Sequence, residues 1–172
     1  TGLGVFRQRC ADSPDPAKIA AGETWLALEE IRDPGNLCTI SRTADAVGCA
    51  GVILVGTTCD PYSLETIRAT MGSIFAMPIV KLERPAFVEL AKAWRGDVIG
   101  THLDAREDFR ASDYRGPQLI VMGSEGPGLS SGAAAVCTKL VKIPMAGKLD
   151  SLNLAIATAL MLYQVRGPQL KL

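Results

Sequence analysis

Trp25-Leu-Ala-Leu-Glu-Glu-Ile-Arg-Asp33-Pro-Gly-Asn-Leu-Cys-Thr-Ile-Ser-Arg-Thr-Ala-Asp45-Ala-Val-Gly-Cys-Ala-Gly51-Val-Ile-Leu-Val55 decides the fold class. It opens with a short apolar run at 25–28, turns polar at Asp33, becomes helical from Ile40 to Val47 and closes on a second apolar run at Gly51–Val55. Both runs are brief and apolar on successive residues, the pattern of a strand buried on both faces. Strand, crossover helix and strand in that order build one unit of a parallel sheet.

The alternation continues to the carboxyl end. The pattern predicts a helix over Ser63–Thr70, a strand at Met77–Val80, a helix over Pro85–Trp94, strands at Asp97–Gly100 and Gln118–Met122, a helix over Ser130–Cys137 and a strand at Leu140–Ile143. The class is therefore α/β, a mostly parallel sheet with helices on both faces. Such sheets bind ligands beyond the carboxyl ends of their strands. Three polar segments each follow a predicted strand: Asp33–Asp45, Gly123–Leu129 and Ile143–Asn153. They are expected to converge on one sheet edge. The last helix, Ser151–Val165, is apolar nearly all round, which calls for burial on more than one side, in the core or against a second subunit.

At 172 residues the chain suits one well-filled core, with 1–23, including Ser13-Pro-Asp-Pro16, as an amino-terminal extension or linker and 24–172 as the folded domain. Eighteen basic and eighteen acidic residues cancel, so no overall field steers the molecule toward nucleic acid. Five cysteines without C-x-x-C spacing fit neither a disulfide framework nor a zinc site, and point to a reduced, cytoplasmic protein. The longest uncharged apolar stretch, 15 residues, is short of the roughly 20 that span a membrane. A single histidine, His102, leaves little material for a Ser-His-Asp arrangement or a histidine-rich metal site. It follows the strand ending near Gly100, either as an ordinary loop residue or as part of a pocket.

Within the first polar segment, Pro34-Gly35 makes a turn and Asn36 is placed to cap a helix beginning near Leu37. Arg42 lies six residues further, a solvated helix charge or a site group. In the second, Gly123-Ser-Glu-Gly-Pro-Gly128 lets backbone approach a ligand directly after a strand. It lacks the lysine of a phosphate-binding P-loop, and Glu125 would repel phosphate and suit a positively charged ligand. No G-x-G-x-x-G follows the first strand, which argues against a dinucleotide-dependent dehydrogenase. In the third segment, Ser151 is expected to cap the final helix, with Asn153 in its first turn.

These three segments, in this order, resemble the three motifs of the SpoU-type RNA ribose 2′-O-methyltransferases of the SPOUT superfamily, from about Leu26 to Tyr163. The resemblance implies a carboxyl-terminal trefoil knot, which ordinary connection rules exclude, and a homodimer formed through the last helix. It implies S-adenosylmethionine as cofactor, released as S-adenosylhomocysteine, with no metal, and tRNA or rRNA as the partner. It assigns catalysis to Asn36, Arg42, Glu125, Ser151 and Asn153, and cofactor binding to Thr101, Gly123, Gly126, Ile143, Met145 and Leu152. A guanidinium with a pKa above ~12 is a poor base but grasps phosphate in two places, so Arg42 is expected first as a clamp on the RNA, with proton acceptance from the 2′-hydroxyl as the alternative. Many relatives carry an RNA-binding domain ahead of the catalytic one, and a chain beginning at Thr1 is expected to be a piece of such a protein. Two positions depart from the pattern: Cys38 stands where the family usually has glycine, and Ser41 where an aliphatic residue precedes the arginine. A base-methylating member of the superfamily, and an RNA-binding or assembly protein without turnover, remain as alternatives.

Overall fold

The expected parallel sheet is present in the computed structural model, which describes residues 10–69, 73–148 and 151–171. Its strands are β1 (Thr24–Glu29), β2 (Gly51–Val55), β3 (Ile79–Leu82), β4 (Val98–Thr101), β5 (Glu107–Asp108), β6 (Gln118–Met122) and β7 (Lys139–Lys142). The helices are α1 (Pro34–Ala46), α2 (Leu64–Ala69), α3 (Arg84–Lys92), α4 (Ser131–Val136) and α5 (Leu154–Arg166). Every strand pair is parallel, in the order β3-β2-β1-β6-β4-β7-β5. The chain builds outward from β1 to β3, then crosses back through α3 to β4 on the other side. The reversal leaves a crevice at the carboxyl ends of β1, β6 and β4, the position where open α/β sheets bind ligands.

β1, β2 and β6 are buried at every position, as runs apolar on successive residues require. Alternate side chains divide between the faces. Leu26, Leu28, Leu54, Ile120 and Met122 meet α1 (Leu37, Ile40) and α5 (Met161, Leu162, Val165). Ala27, Ile53, Val55, Leu119 and Val121 meet α3 (Phe87, Leu90), Trp94 just after it and Ala133 of α4. Of the chain before β1, the described part lies against the domain: the Ala11 N–H donates to the Ile79 carbonyl, and Ile19 packs on the α3 side. Residues 1–9 of the expected extension, Thr70 of the expected second helix, and Leu149 and Asp150 of the third segment lie outside the described residues.

Both helix starts that matter for the site are displaced from expectation. α1 begins at Pro34, not near Leu37, because Asp33 is the cap: its Oδ2 accepts the Asn36 N–H at 2.8 Å, and Pro34 occupies a first-turn position that needs no N–H. Asn36 is thus inside the first turn, its side chain free for other work. α5 begins at Leu154 with Asn153 as its cap, Oδ1 accepting from the N–H groups of Ala155 and Ile156 at 2.9 and 3.3 Å. Ser151 therefore does not cap the helix and stands exposed before it. β5 was not expected; it extends the edge beside β7. α5 covers the sheet on one side only, leaving Ile156, Leu160 and Tyr163 exposed at 53%, 40% and 54% as an apolar stripe. No helix among the described residues is long and apolar enough to cross a membrane.

Candidate active site

Gly123 leaves β6 and the chain folds back on itself at once. Ser124 and Gly128 exchange backbone hydrogen bonds at 3.1 and 3.0 Å, closing a tight loop whose Gly126 and Gly128 have φ of 87° and 74°. A Cβ on Gly123 would fall 2.1 Å from the Gly128 carbonyl carbon and 2.2 Å from the Leu129 nitrogen. This glycine is therefore required by the loop's own closure, before any ligand enters. Behind the loop, the buried Glu29 carboxylate accepts from the backbone N–H and hydroxyl of Ser130 at 2.8 and 2.6 Å and pairs with Arg84 Nε at 3.3 Å, fixing the loop's far end to β1.

A cavity of about 380 Å³ opens between this loop, the ends of β4 and β7, and the start of α5. Thr101, Gly123, Gly126, Ile143, Met145 and Leu152 all line it, as do Glu125 and Ser151. Its size falls within the ~300–1,000 Å³ of small-molecule sites. Leu129, Val141, Ile143 and Met145 supply an apolar wall, while loop backbone and the Glu125 carboxylate supply polar groups. His102 lines it too, its Nδ1 accepting the Asp104 N–H at 3.2 Å, which settles its place in favour of the pocket. A second cavity, of about 330 Å³, adjoins the first, lined by Glu30, Ile31, Arg32, Asp33 and Asn36 and sharing Ser124, Glu125, Pro127 and Leu154 with it.

Where the two cavities meet, three side chains from the three polar segments close a ring. Asn36 Nδ2 donates to Glu125 Oε1 at 2.5 Å, Asn153 Nδ2 donates to Asn36 Oδ1 at 3.1 Å, and Asn153 Nδ2 also reaches Glu125 Oε1 at 3.5 Å. Each member is oriented by its element. Asn36 is held in the first turn of α1 by the Asp33 cap, Asn153 by its own capping bonds to α5, and Glu125 by the closed loop. The ring joins residues 89 and 117 positions apart in sequence, and of its members Asn36 is buried while Glu125 and Asn153 stand exposed to an incoming ligand.

Arg42 is not brought into this ring. It sits exposed on α1, lines neither cavity, and makes no hydrogen bond or ion pair among the described residues. Cys38, one turn earlier, is buried and also lines neither cavity, so this departure from the usual glycine fills the helix packing and leaves both cavities clear. Burial raises its thiol pKa, and the nearby Arg42 charge opposes the shift. Ser41 is buried with its Oγ unpartnered among the described residues, where an aliphatic side chain would suffice. Sequence reasoning missed Glu30 and Arg32 as cavity walls; the signal was their position directly after β1.

The SpoU rRNA methylase family model matches residues 23–163. The chain is similar to the putative TrmH family tRNA/rRNA methyltransferase YacO of Bacillus subtilis, with 39% identity over 142 residues, covering 82% of this chain and 57% of that protein. It is similar to the 23S rRNA (guanosine(2553)-2′-O)-methyltransferase RlmP of the same organism, with 33% identity over 150 residues, covering 87% of this chain and 60% of that one. Among solved structures, the AdoMet-bound rRNA methyltransferase from Sinorhizobium meliloti superposes with a TM-score of 0.89 at 47% identity, over 96% of this chain and 64% of that one. The chain thus spans less than two thirds of the length of each of these proteins.

Proposed function

Because the chain belongs to the SpoU rRNA methylase family, we propose that it transfers a methyl group from S-adenosylmethionine to a ribose 2′-hydroxyl of tRNA or rRNA. The observation that carries this is the Asn36–Glu125–Asn153 ring, whose Glu125 lines both adjoining cavities and whose Asn36 lines the smaller. The residues of the larger cavity suit the cofactor: apolar Ile143 and Met145 for a flat base, loop backbone at Gly123 and Gly126, Thr101 and Leu152 at the rim, and one carboxylate, Glu125, for a cationic centre. When bound, the cofactor supplies an electrophilic methyl on a sulfonium. The 2′-oxygen would bond to that methyl as the sulfur–carbon bond breaks, leaving S-adenosylhomocysteine, with the hydroxyl proton passing to solvent water.

In this reading the chain contributes position and electrostatics rather than a covalent intermediate. Asn36, Glu125 and Asn153 orient the acceptor ribose. Ser151, at the cavity mouth, acts beside them. Arg42 serves as the clamp on an RNA phosphate, for which an exposed, unpaired guanidinium is suited. We assign catalysis to the domain 24–172, read the chain as cytoplasmic, and include the carboxyl-terminal knot. We also include a homodimer through α5, supported by the exposed stripe of Ile156, Leu160 and Tyr163.

The test is transfer of a labelled methyl group to tRNA and to ribosomal RNA lacking the modification, followed by digestion and identification of the labelled nucleoside. Label on the ribose 2′-oxygen is expected, and Arg42→Ala should abolish it while sparing cofactor affinity. Label on a base, or RNA binding without any transfer, would contradict the proposal.

A further inference from the structure

The smaller cavity has no ligand assigned to it, and we propose that it receives the base of the acceptor nucleotide and selects guanine. The inference rests on the methyl-transfer reading above and adds the identity of the substrate base. This cavity shares Ser124, Glu125, Pro127 and Leu154 with the larger one and is lined by Asn36, so ligands in the two would adjoin at Glu125 of the Asn36–Glu125–Asn153 ring. A ribose at the ring has its base in the smaller cavity.

The wall of that cavity offers an acceptor group and a donor group side by side. Arg84 holds one oxygen of Glu30 at 2.8 Å, whereas the other oxygen, among the described residues, meets Arg32 at a loose 3.7 Å. Arg32 itself is 75% exposed in its side chain. Glu30 has φ of 52°, a conformation that a residue other than glycine keeps only where its surroundings hold it. Here its N–H donates to the Val55 carbonyl at 2.9 Å and Arg84 grips its carboxylate, so the direction of the side chain is set in advance.

Guanine alone among the four bases presents two acceptors, O6 and N7, beside two donors, N1–H and N2–H. A guanidinium pairs with the first two and a carboxylate with the second two. Uracil would set its carbonyl oxygens against the Glu30 carboxylate, and adenine and cytosine each offer one exocyclic donor where the carboxylate accepts two. Arg32 and Glu30, already neighbours, are thus complementary to guanine and mismatched to the others.

The experiment first titrates the whole chain with S-adenosylhomocysteine and then, at saturation, compares guanosine, adenosine, uridine and cytidine 5′-monophosphates by ligand-observed magnetic resonance. The expected result is guanosine monophosphate binding at least about fivefold more tightly than uridine monophosphate, the lower end of what one bidentate pair discriminates. Arg32→Ala and Glu30→Gln should each remove the preference with S-adenosylhomocysteine affinity unchanged. Saturation with S-adenosylhomocysteine but equal, absent or non-guanine nucleotide binding overturns the base assignment alone. Failure to bind S-adenosylhomocysteine overturns the methyl-transfer reading instead, and the guanine preference then stands or falls by the same fivefold criterion measured without it.

Discussion

On one face of the sheet, α3 and α4 press Phe87, Leu90 and Ala133, with Trp94 just after α3, onto Ala27, Ile53, Val55 and Val121. On the other, α1 and α5 press Leu37, Ile40, Met161 and Leu162 onto Leu26, Leu28, Ile120 and Met122, and the starts of the same two helices carry Asn36 and Asn153. Both faces are dry, and Leu129 on the α3 side also walls the larger cavity, yet the helix-borne side chains of the ring come only from α1 and the cap of α5. The difference lies in the first turn. α3 begins without a side-chain cap, and the Ser130 cap of α4 turns to Glu29 instead of the ring, whereas α1 and α5 begin with capping residues whose neighbours, or whose own side chains, reach the ring. A helix start on the carboxyl edge of the sheet fixes the fold and the site together.

Substitutions should therefore separate the faces. The largest effect is expected from Phe87→Ala, which empties a fully buried position beneath α3: about 3–5 kcal/mol of stability lost in denaturant unfolding, with methyl transfer per folded molecule unchanged. Next, Asn153→Ala should lower transfer about 100-fold or more, near 2.7 kcal/mol, and cost only about 1 kcal/mol of stability from the lost cap. Transfer that survives Asn153→Ala would break the distinction. Trp94→Phe on the α3 face loses the indole bond to the Pro117 carbonyl at 2.8 Å and should cost about 1 kcal/mol with no change in transfer. Smallest of all, Ser41→Ala removes an unpartnered buried hydroxyl from α1 and should leave stability unchanged or slightly raised by thermal unfolding.

One property should ignore the two faces. Burial pushes the thiols of Cys49, beneath α1, and Cys137, beside α4, up to about 12. Both stay protonated in the folded chain at pH values where the unfolded chain, with thiols near their ordinary 9.0, has released the protons. Above pH 9 the unfolded state binds fewer protons, so stability is full below that pH and falls as pH rises toward 12. Denaturant midpoints at pH 8 and pH 10.5 should show the drop; a midpoint that holds or rises would contradict the burial of both thiols.

The sheet was legible because its strands are apolar on successive residues and its glycines mark the loop after β6. Much of the larger cavity's lining belongs to the second and third motif-bearing segments, named through the family resemblance, while Thr101 comes from the end of β4 and the first segment lines only the smaller cavity. The capping roles were exchanged in both helices for one physical reason: Asp33 and Asn36, and Ser151 and Asn153, are all residues with capping oxygens, and spacing alone does not choose between them. Pro34 was the available signal in the first case, since it favours the first helical position and moves the cap back to Asp33. β5 has two residues and gains its place from β7, so no local pattern announces it. The smaller cavity joins β1's exit to a loop some 90 residues later, and only the folded chain brings them together.

The central claim divides the site into a larger cavity for the methyl donor and a ring with a smaller cavity for the acceptor. Calorimetric titration of the wild-type chain and of Asn36→Ala with S-adenosylhomocysteine tests it most directly, since Asn36 lines only the smaller cavity. The division predicts about one site per chain and affinities within about twofold of each other, with transfer lost in the variant. No binding by the wild-type chain, or affinity that falls in step with transfer, would contradict it.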